Sequence, residues 1–102
     1  MEISDRAKAI EEGMLETVMP LIKEGMRDKA GDYLINLATV LKKGLEFREF
    51  IRYKNGLSLI SAIQILGGDL LSPRMPYQAS LRDFNYHLGE FKYSLRHNKT
   101  YY

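Results

Sequence analysis

The feature that most constrains this fold is the segment from Leu57 to Leu66, LSLISAIQIL, which is apolar nearly all round. A segment without a polar face is expected to be the most buried part of the chain. Three isoleucines and partial alternation allow a strand, but the sequence offers no second convincing strand to pair with it. A single strand cannot satisfy its own backbone hydrogen bonds. We therefore expect a central buried helix that ends at Gly67 and Gly68, with a strand as the alternative.

Length and composition indicate a single domain spanning residues 1–102. With 102 residues the chain can build one modest core and no second one. Its hydrophobic content of 45% and charged content of 27% are ordinary for a soluble globular protein. The longest run without a charge, Asn55 to Gly68, is shorter than the ~20 residues that cross a bilayer, so we expect no membrane span.

Cysteine usage and the N-terminal residues bear on location. The chain has no cysteine, which excludes disulfides, thiolate chemistry and cysteine-ligated zinc. The first residues, MEISDRAKAIEEG, lack the apolar run of a secretory signal. We expect a cytoplasmic protein whose stability comes from packing.

Helical spacing predicts two helices before the central segment. Ser4 can cap the first, and Pro20 either ends that helix, restarts it in a new first turn or kinks it. Asp32 can cap the second, which we expect to run to Lys54 with a bend or break near Gly44.

The last predicted helix, Ser80 to His97, has the strongest amphipathic pattern. Its large apolar residues recur at steps of three and four, so they form one stripe that must face the core. They are Leu81, Phe84, Leu88, Phe91 and Leu95. Ser80 is the predicted N-cap, with Asp83 three residues later. Residues 98–102 are expected to be a frayed tail.

Together these segments predict an all-α fold, a compact bundle of four or five helices. We expect the first and last helices to cover Leu57 to Leu66. The chain can also be divided into two helix-loop-helix hairpins, residues 14–45 and 57–95, which a diverged internal repeat would explain. In that case the groove between the hairpins is the natural site for an extended or helical peptide of a partner.

A second stripe on the last helix lies nearly opposite the apolar one and is the candidate binding surface. Arg and Tyr are favoured at binding surfaces, and this stripe combines them with a glycine, Gly89. The predicted partner-binding residues are Arg82, Tyr86, Tyr93 and Arg96. We expect a protein or peptide partner and self-association as a homodimer. The alternative is a face that is solvated or packs on the first helix.

Uneven charge supports a second hypothesis, nucleic-acid binding. Residues 1–32 carry five bases and eight acids, whereas residues 72–102 carry five bases and two acids. This asymmetry fits a basic surface for an anionic partner, an acidic face docking on a basic one within the fold or between copies, or a scatter of charge without functional meaning in a chain of this size. The residues assigned to phosphates are Arg82, Lys92, Arg96 and Lys99. The net charge of only +2 and the interleaved acids count against nucleic acid.

No constellation of residues indicates catalysis. His87 and His97 are ten residues apart, so on one helix they point about 80° apart and cannot jointly hold a metal. The serines lack the glycine context of a nucleophile elbow, and the Gly67-Gly68-Asp69 sequence lacks the lysine of a phosphate-binding loop. We predict a protein that is not an enzyme and has no cofactor or metal.

No motif identifies a family. In general character the chain resembles the small orphan proteins of phages and archaeal viruses. That resemblance implies a protein that binds one host or viral protein, in the host cytoplasm if viral. The expected function is therefore non-catalytic protein binding.

Overall fold

The fold is a bundle of helices joined by short connections. The computed structural model describes residues 2–101. The helical segments are α1 (Ile3–Gly13), a π-helical segment (Met14–Val18), α2 (Met19–Lys23), α3 (Arg27–Leu41), α4 (Gly44–Arg52), α5 (Gly56–Leu71) and α6 (Gln78–Arg96). The first three follow one another without a break, so the described chain has five helical rods.

The all-α prediction is confirmed. Within residues 2–101 the one β pairing is an isolated bridge between Tyr53 and Thr100. The alternative of a strand at Leu57 to Leu66 is excluded, because the segment lies inside α5. No helix in the described chain is both long and apolar enough to cross a bilayer.

α5 is the central element of the bundle. Its inner face is fully buried, and α5 packs most extensively on α3 and next on α6. The prediction that the first helix covers α5 is wrong, because α1 packs on α6 and α4 instead. The outer side of this segment is open, because Leu57 and Ile65 are 56% and 58% exposed. The buried residues are Leu59, Ile60, Ala62, Ile63, Leu66 and Leu70.

The crossing of α3 and α5 depends on two glycines. A Cβ atom on Gly31 would lie 2.8 Å from the carbonyl oxygen of Gly67, and one on Gly67 would lie 3.1 Å from the carbonyl oxygen of Gly31. A larger residue would therefore force the two helix backbones apart. The prediction that Gly67 and Gly68 end the central helix is wrong, because α5 continues to Leu71 and Gly67 serves the close approach.

The first rod passes through Pro20. In a regular α-helix the proline ring would clash with the carbonyl group of Glu16 and leave that carbonyl without an amide donor. The wider π-helical turn ends two residues before Pro20, which then lies in the first turn of α2. Of the three predicted outcomes, a restart in a new first turn is the one observed. The rod begins at Ile3, so Ser4 is not its cap.

The second predicted helix is two helices. α3 begins at Arg27, five residues before the predicted cap Asp32. The helix is interrupted before Gly44, whose φ of +64° is a left-handed conformation that glycine adopts without strain. The predicted break near Gly44 is confirmed, and α4 ends at Arg52 rather than Lys54.

The apolar face of α6 closes the core as predicted. Phe91 of α6 stacks on Phe50 of α4 with ring centroids 4.3 Å apart. The buried residues are Phe84, Leu88 and Phe91, with Leu81 and Leu95 partly buried beside them. α6 begins at Gln78, so Ser80 is not its N-cap. The buried Ser80 hydroxyl instead donates a hydrogen bond to the carboxylate of Asp69 at the end of α5.

The connection between α5 and α6 is held by Arg27, a residue to which the sequence patterns assign no role. Its guanidinium lies 5.2 Å from the ring centroid of Tyr77 and donates hydrogen bonds to four carbonyl oxygens. The acceptors belong to Asp69, Leu70, Ser72 and Met75, at 2.7, 3.0, 3.0 and 2.6 Å. Because the last carbonyls of a helix lack intrahelical donors, Arg27 caps α5 from another helix.

The C-terminal tail is bound to the bundle. The amide of Lys54 donates to the carbonyl oxygen of Lys99 at 3.0 Å, and the amide of Tyr101 donates to the carbonyl oxygen of Arg52 at 3.1 Å. The prediction of a frayed tail is therefore wrong for residues 98–101, because the tail pairs with the α4–α5 connection. Tyr102 lies outside the described residues.

Candidate interaction surface

The outer face of α6 carries all four predicted partner-binding residues. Arg82, Tyr86, Tyr93 and Arg96 are exposed, and the exposed fractions of Tyr86 and Tyr93 are 62% and 48%. With Gly89 between the tyrosines, they form one row along the helix, about 21 Å long at ~1.5 Å per residue. We call this row the α6 ridge. It lies opposite the buried face of α6, so the core does not use it.

Each tyrosine of the α6 ridge rests against a histidine. The rings of Tyr86 and His87 meet edge to face with centroids 5.2 Å apart, and those of Tyr93 and His97 lie 4.3 Å apart. These contacts restrict the tyrosine rotamers before any partner arrives, which lowers the entropy that binding must remove. The sequence patterns did not assign this positioning role to either histidine, although the four-residue spacing of Tyr93 and His97 allows it.

Gly89 has no structural reason to be glycine within the described chain. It is exposed inside α6, and a Cβ atom there would meet no atom within 4 Å. Glycine inside a helix is less stable than alanine by about 0.5–1 kcal/mol. The missing side chain leaves a gap between Tyr86 and Tyr93 that an approaching surface can enter.

A cleft of about 310 Å³ lies between α5 and α6, on one side of the α6 ridge. Its α5 wall presents the exposed apolar side chains of Leu57 and Ile65, and its α6 wall presents Asp83 and His87. The Nδ1 atom of His87 is buried and has no hydrogen-bond partner within residues 2–101. A buried polar atom without a hydrogen-bond partner lowers stability.

A groove of about 470 Å³ between α1 and α6 lies on the other side of the α6 ridge. The Lys92 ammonium donates to the Glu11 carboxylate at 2.6 Å in its wall. Arg96, one turn after Lys92, lines the same groove as Ser4 and Lys8. α1 and α6 therefore run antiparallel, and α1 borders the C-terminal half of the α6 ridge.

The alternative set for nucleic acid is spread over three places. Arg82 and Arg96 lie on the α6 ridge, Lys92 faces α1, and Lys99 is exposed in the tail. Glu11 offsets the charge of Lys92. The set therefore offers fewer free cations than the sequence indicates.

The predicted repeat stays a prediction, and neither cleft beside α6 lies between its halves. The α5–α6 cleft lies inside residues 57–95, and the α1–α6 groove is formed in part by residues that precede 14–45.

Within residues 2–101, no three His, Asp or Glu side chains converge as metal ligands do. No family model, curated protein or solved structure matches the chain.

Proposed function

We propose that this chain is a non-catalytic interaction module that binds another protein through the α6 ridge. The observation that carries the proposal is the row of Arg82, Tyr86, Tyr93 and Arg96, which is exposed, continuous and unused by the core. Tyrosine and arginine are enriched among the residues that dominate binding energy. A cytoplasmic location and a phage or archaeal virus origin belong to the same proposal and rest on the sequence.

The two tyrosines would supply the anchors of the interface. Each is an amphipathic ring with few rotatable bonds, already held by a histidine. Tyr86 also borders the apolar α5–α6 cleft through His87, so a partner side chain seated there would lie against it. Arg82 and Arg96 at the two ends would orient an acidic partner.

Site-specific photocrosslinking tests this proposal. A benzophenone amino acid replaces Tyr86 or Tyr93 in one pair of variants, and Leu45 or Tyr101 in the control pair, which are 76% and 65% exposed on other parts of the surface. Irradiation at about 1 mM protein, alone and in an extract of the source cells, is followed by mass spectrometry of the adducts, so that adducts between copies are detected as well. We expect discrete protein adducts from the ridge positions alone. Equal yields at ridge and control positions would refute the ridge as the binding surface.

A titration separates this proposal from the nucleic-acid alternative. Labelled single-stranded and duplex oligonucleotides are followed by fluorescence anisotropy at about 50 mM and about 300 mM salt. We expect no binding at the lower salt. Binding that weakens steeply with salt and disappears in Arg82→Glu/Arg96→Glu would replace the protein partner with nucleic acid.

A further inference from the structure

The outer side of α1 is acidic and has no partner within the described chain. Asp5 and Glu12 of α1 and Glu16 of the π-helical segment that continues it are exposed, and no ion pair among residues 2–101 involves any of them. The paired side chains of α1 point elsewhere, because Arg6 binds Glu46 of α4 and Glu11 binds Lys92 of α6. We call Asp5, Glu12 and Glu16 the α1 row.

The neighbouring α6 ridge has the opposite charge. Arg82 and Arg96 have no carboxylate partner in the described part of the chain. Asp83, an acid of the same helix, lines the α5–α6 cleft on the far side. Asp5 and Glu12 thus lie beside the basic, aromatic ridge where α1 and α6 run antiparallel, and Glu16 continues the acidic row into the π-helical segment.

This face is complementary to itself. A twofold axis that runs parallel to the two helices, along the groove between them, places α1 of a second copy over α6 of the first and the reverse. Because that rotation leaves positions along the helices unchanged, each α1 residue meets the α6 residue at its own level. Ser4 and Arg96 line one groove, so at about 1.5 Å per residue Asp5 is level with Arg96, and Glu16 is level with Tyr86, one turn from Arg82.

We propose that the partner of the α6 ridge is a second copy of this chain, in a twofold dimer that pairs α1 of each copy with α6 of the other. This inference rests on the proposed function and names its partner. Asp5 of one copy accepts hydrogen bonds from Arg96 of the other, and Glu16 accepts them from Arg82 and from the Tyr86 hydroxyl. Glu12 comes opposite the gap at Gly89, which gives α1 of the second copy room to approach.

The size of the face predicts a weak dimer. Two helices side by side, about 20 Å wide over the 21 Å of the α6 ridge, offer a footprint on the order of 400 Å² per copy, against about 800 Å² for a standard interface. Exposed ion pairs add little and are screened by salt. We therefore expect a dissociation constant of about 100 µM that rises at least about tenfold between low and high salt.

Charge exchange between copies tests the pairing directly. Arg82→Glu/Arg96→Glu makes both helices of the face acidic, and Asp5→Lys/Glu16→Lys makes both basic, so each variant repels itself. Mixed, the two variants restore both helix pairings in one heterodimer. We expect sedimentation equilibrium to show a wild-type dimer, two monomeric variants, and a one-to-one complex in their mixture that dissociates in about 500 mM salt.

The matched control is Arg48→Glu/Arg74→Glu. It makes the same change of charge at two exposed arginines that lie away from this face. It should dimerise as the wild type does. A wild type that stays monomeric at about 1 mM, or a mixture that stays monomeric, overturns the second copy as partner. If ridge positions nevertheless crosslink a different protein, the proposed function stands without the dimer; if they crosslink nothing selectively, the proposed function fails as well.

Discussion

At the scale of single residues, Arg27 contributes most to the order of the α5–α6 connection. One guanidinium satisfies carbonyl oxygens of both the end of α5 and the loop that follows. We expect Arg27→Ala to lower the free energy of unfolding by about 1–3 kcal/mol, because the helix-end carbonyls lose a charged donor. Arg27→Lys should recover little of this, because an ammonium lacks the planar fork. Urea denaturation measures both.

Arg74→Ala is the matched control for Arg27, because Arg74 is exposed in the same loop and donates none of these bonds. It should change stability by less than about 0.5 kcal/mol. Equal losses in the Arg27 and Arg74 variants would contradict the capping role.

Arg6 and Glu46 make the stability depend on pH. The hydrogen bond from Arg6 holds the pKa of the Glu46 carboxyl below its usual value, against the desolvation that raises it. A group with a lowered pKa in the folded state stabilises the fold above its unfolded-state pKa of about 4.3 and loses that contribution as the pH falls through the folded-state pKa. Glu46→Gln should therefore lower stability near neutral pH and flatten its fall in acid.

Urea denaturation of wild type and Glu46→Gln between about pH 7 and about pH 3 gives the comparison. The two stability curves should approach one another at the acid end. Curves that stay parallel throughout would show that Glu46 makes no pH-dependent contribution.

At the scale of elements, the α3–α5 crossing gives a paired glycine test. Gly31→Ala places a methyl group 2.8 Å from the backbone oxygen of Gly67, so we expect a loss of about 1–3 kcal/mol as the helices separate. Gly68 follows Gly67 in the same helix, but a Cβ atom there would meet nothing within 4 Å. Gly68→Ala should therefore raise the free energy of unfolding by about 0.5–1 kcal/mol through helix propensity. Thermal denaturation distinguishes the two signs; a neutral Gly31→Ala would refute the close crossing.

Gly89→Ala should separate stability from binding. The substitution should raise the free energy of unfolding by about 0.5–1 kcal/mol, since the position is open and helical. It also partly fills the gap between Tyr86 and Tyr93, so ridge crosslinking and dimerisation should both weaken. Unchanged association in a stabilised variant would show that the gap is not used.

The sequence predicted which segments are helical better than it predicted where each helix begins and ends. Periodicity identified α6 and its buried stripe because five large residues recur at helical steps over about four turns. Local signals failed at Gly67 and Ser80, where tertiary contacts decide the role: Gly67 lies at a helix crossing, and the Ser80 hydroxyl bonds Asp69. Arg27 had no local signal at all, because its acceptors lie more than forty residues away.

At the scale of the whole molecule, the first and last helices pack on each other. The acidic N-terminal third and the basic C-terminal third were visible in the sequence, and the exposed tyrosines of the last helix followed from its period. The hydrophobic pattern of the sequence could not predict that α1 packs on α6 rather than on α5, because helix pairing depends on which surfaces fit in three dimensions. This pairing is what sets an acidic row beside a basic ridge.

Urea denaturation of Tyr86→Ala/Tyr93→Ala beside Phe84→Ala compares the two faces of α6. We propose that the buried face maintains the fold and that the α6 ridge is left for a partner. We therefore expect the double variant to stay within about 0.5 kcal/mol of wild type while Phe84→Ala loses about 3–5 kcal/mol. A double variant that loses as much as Phe84→Ala would show that the α6 ridge belongs to the fold's own packing and would contradict its role as a binding surface.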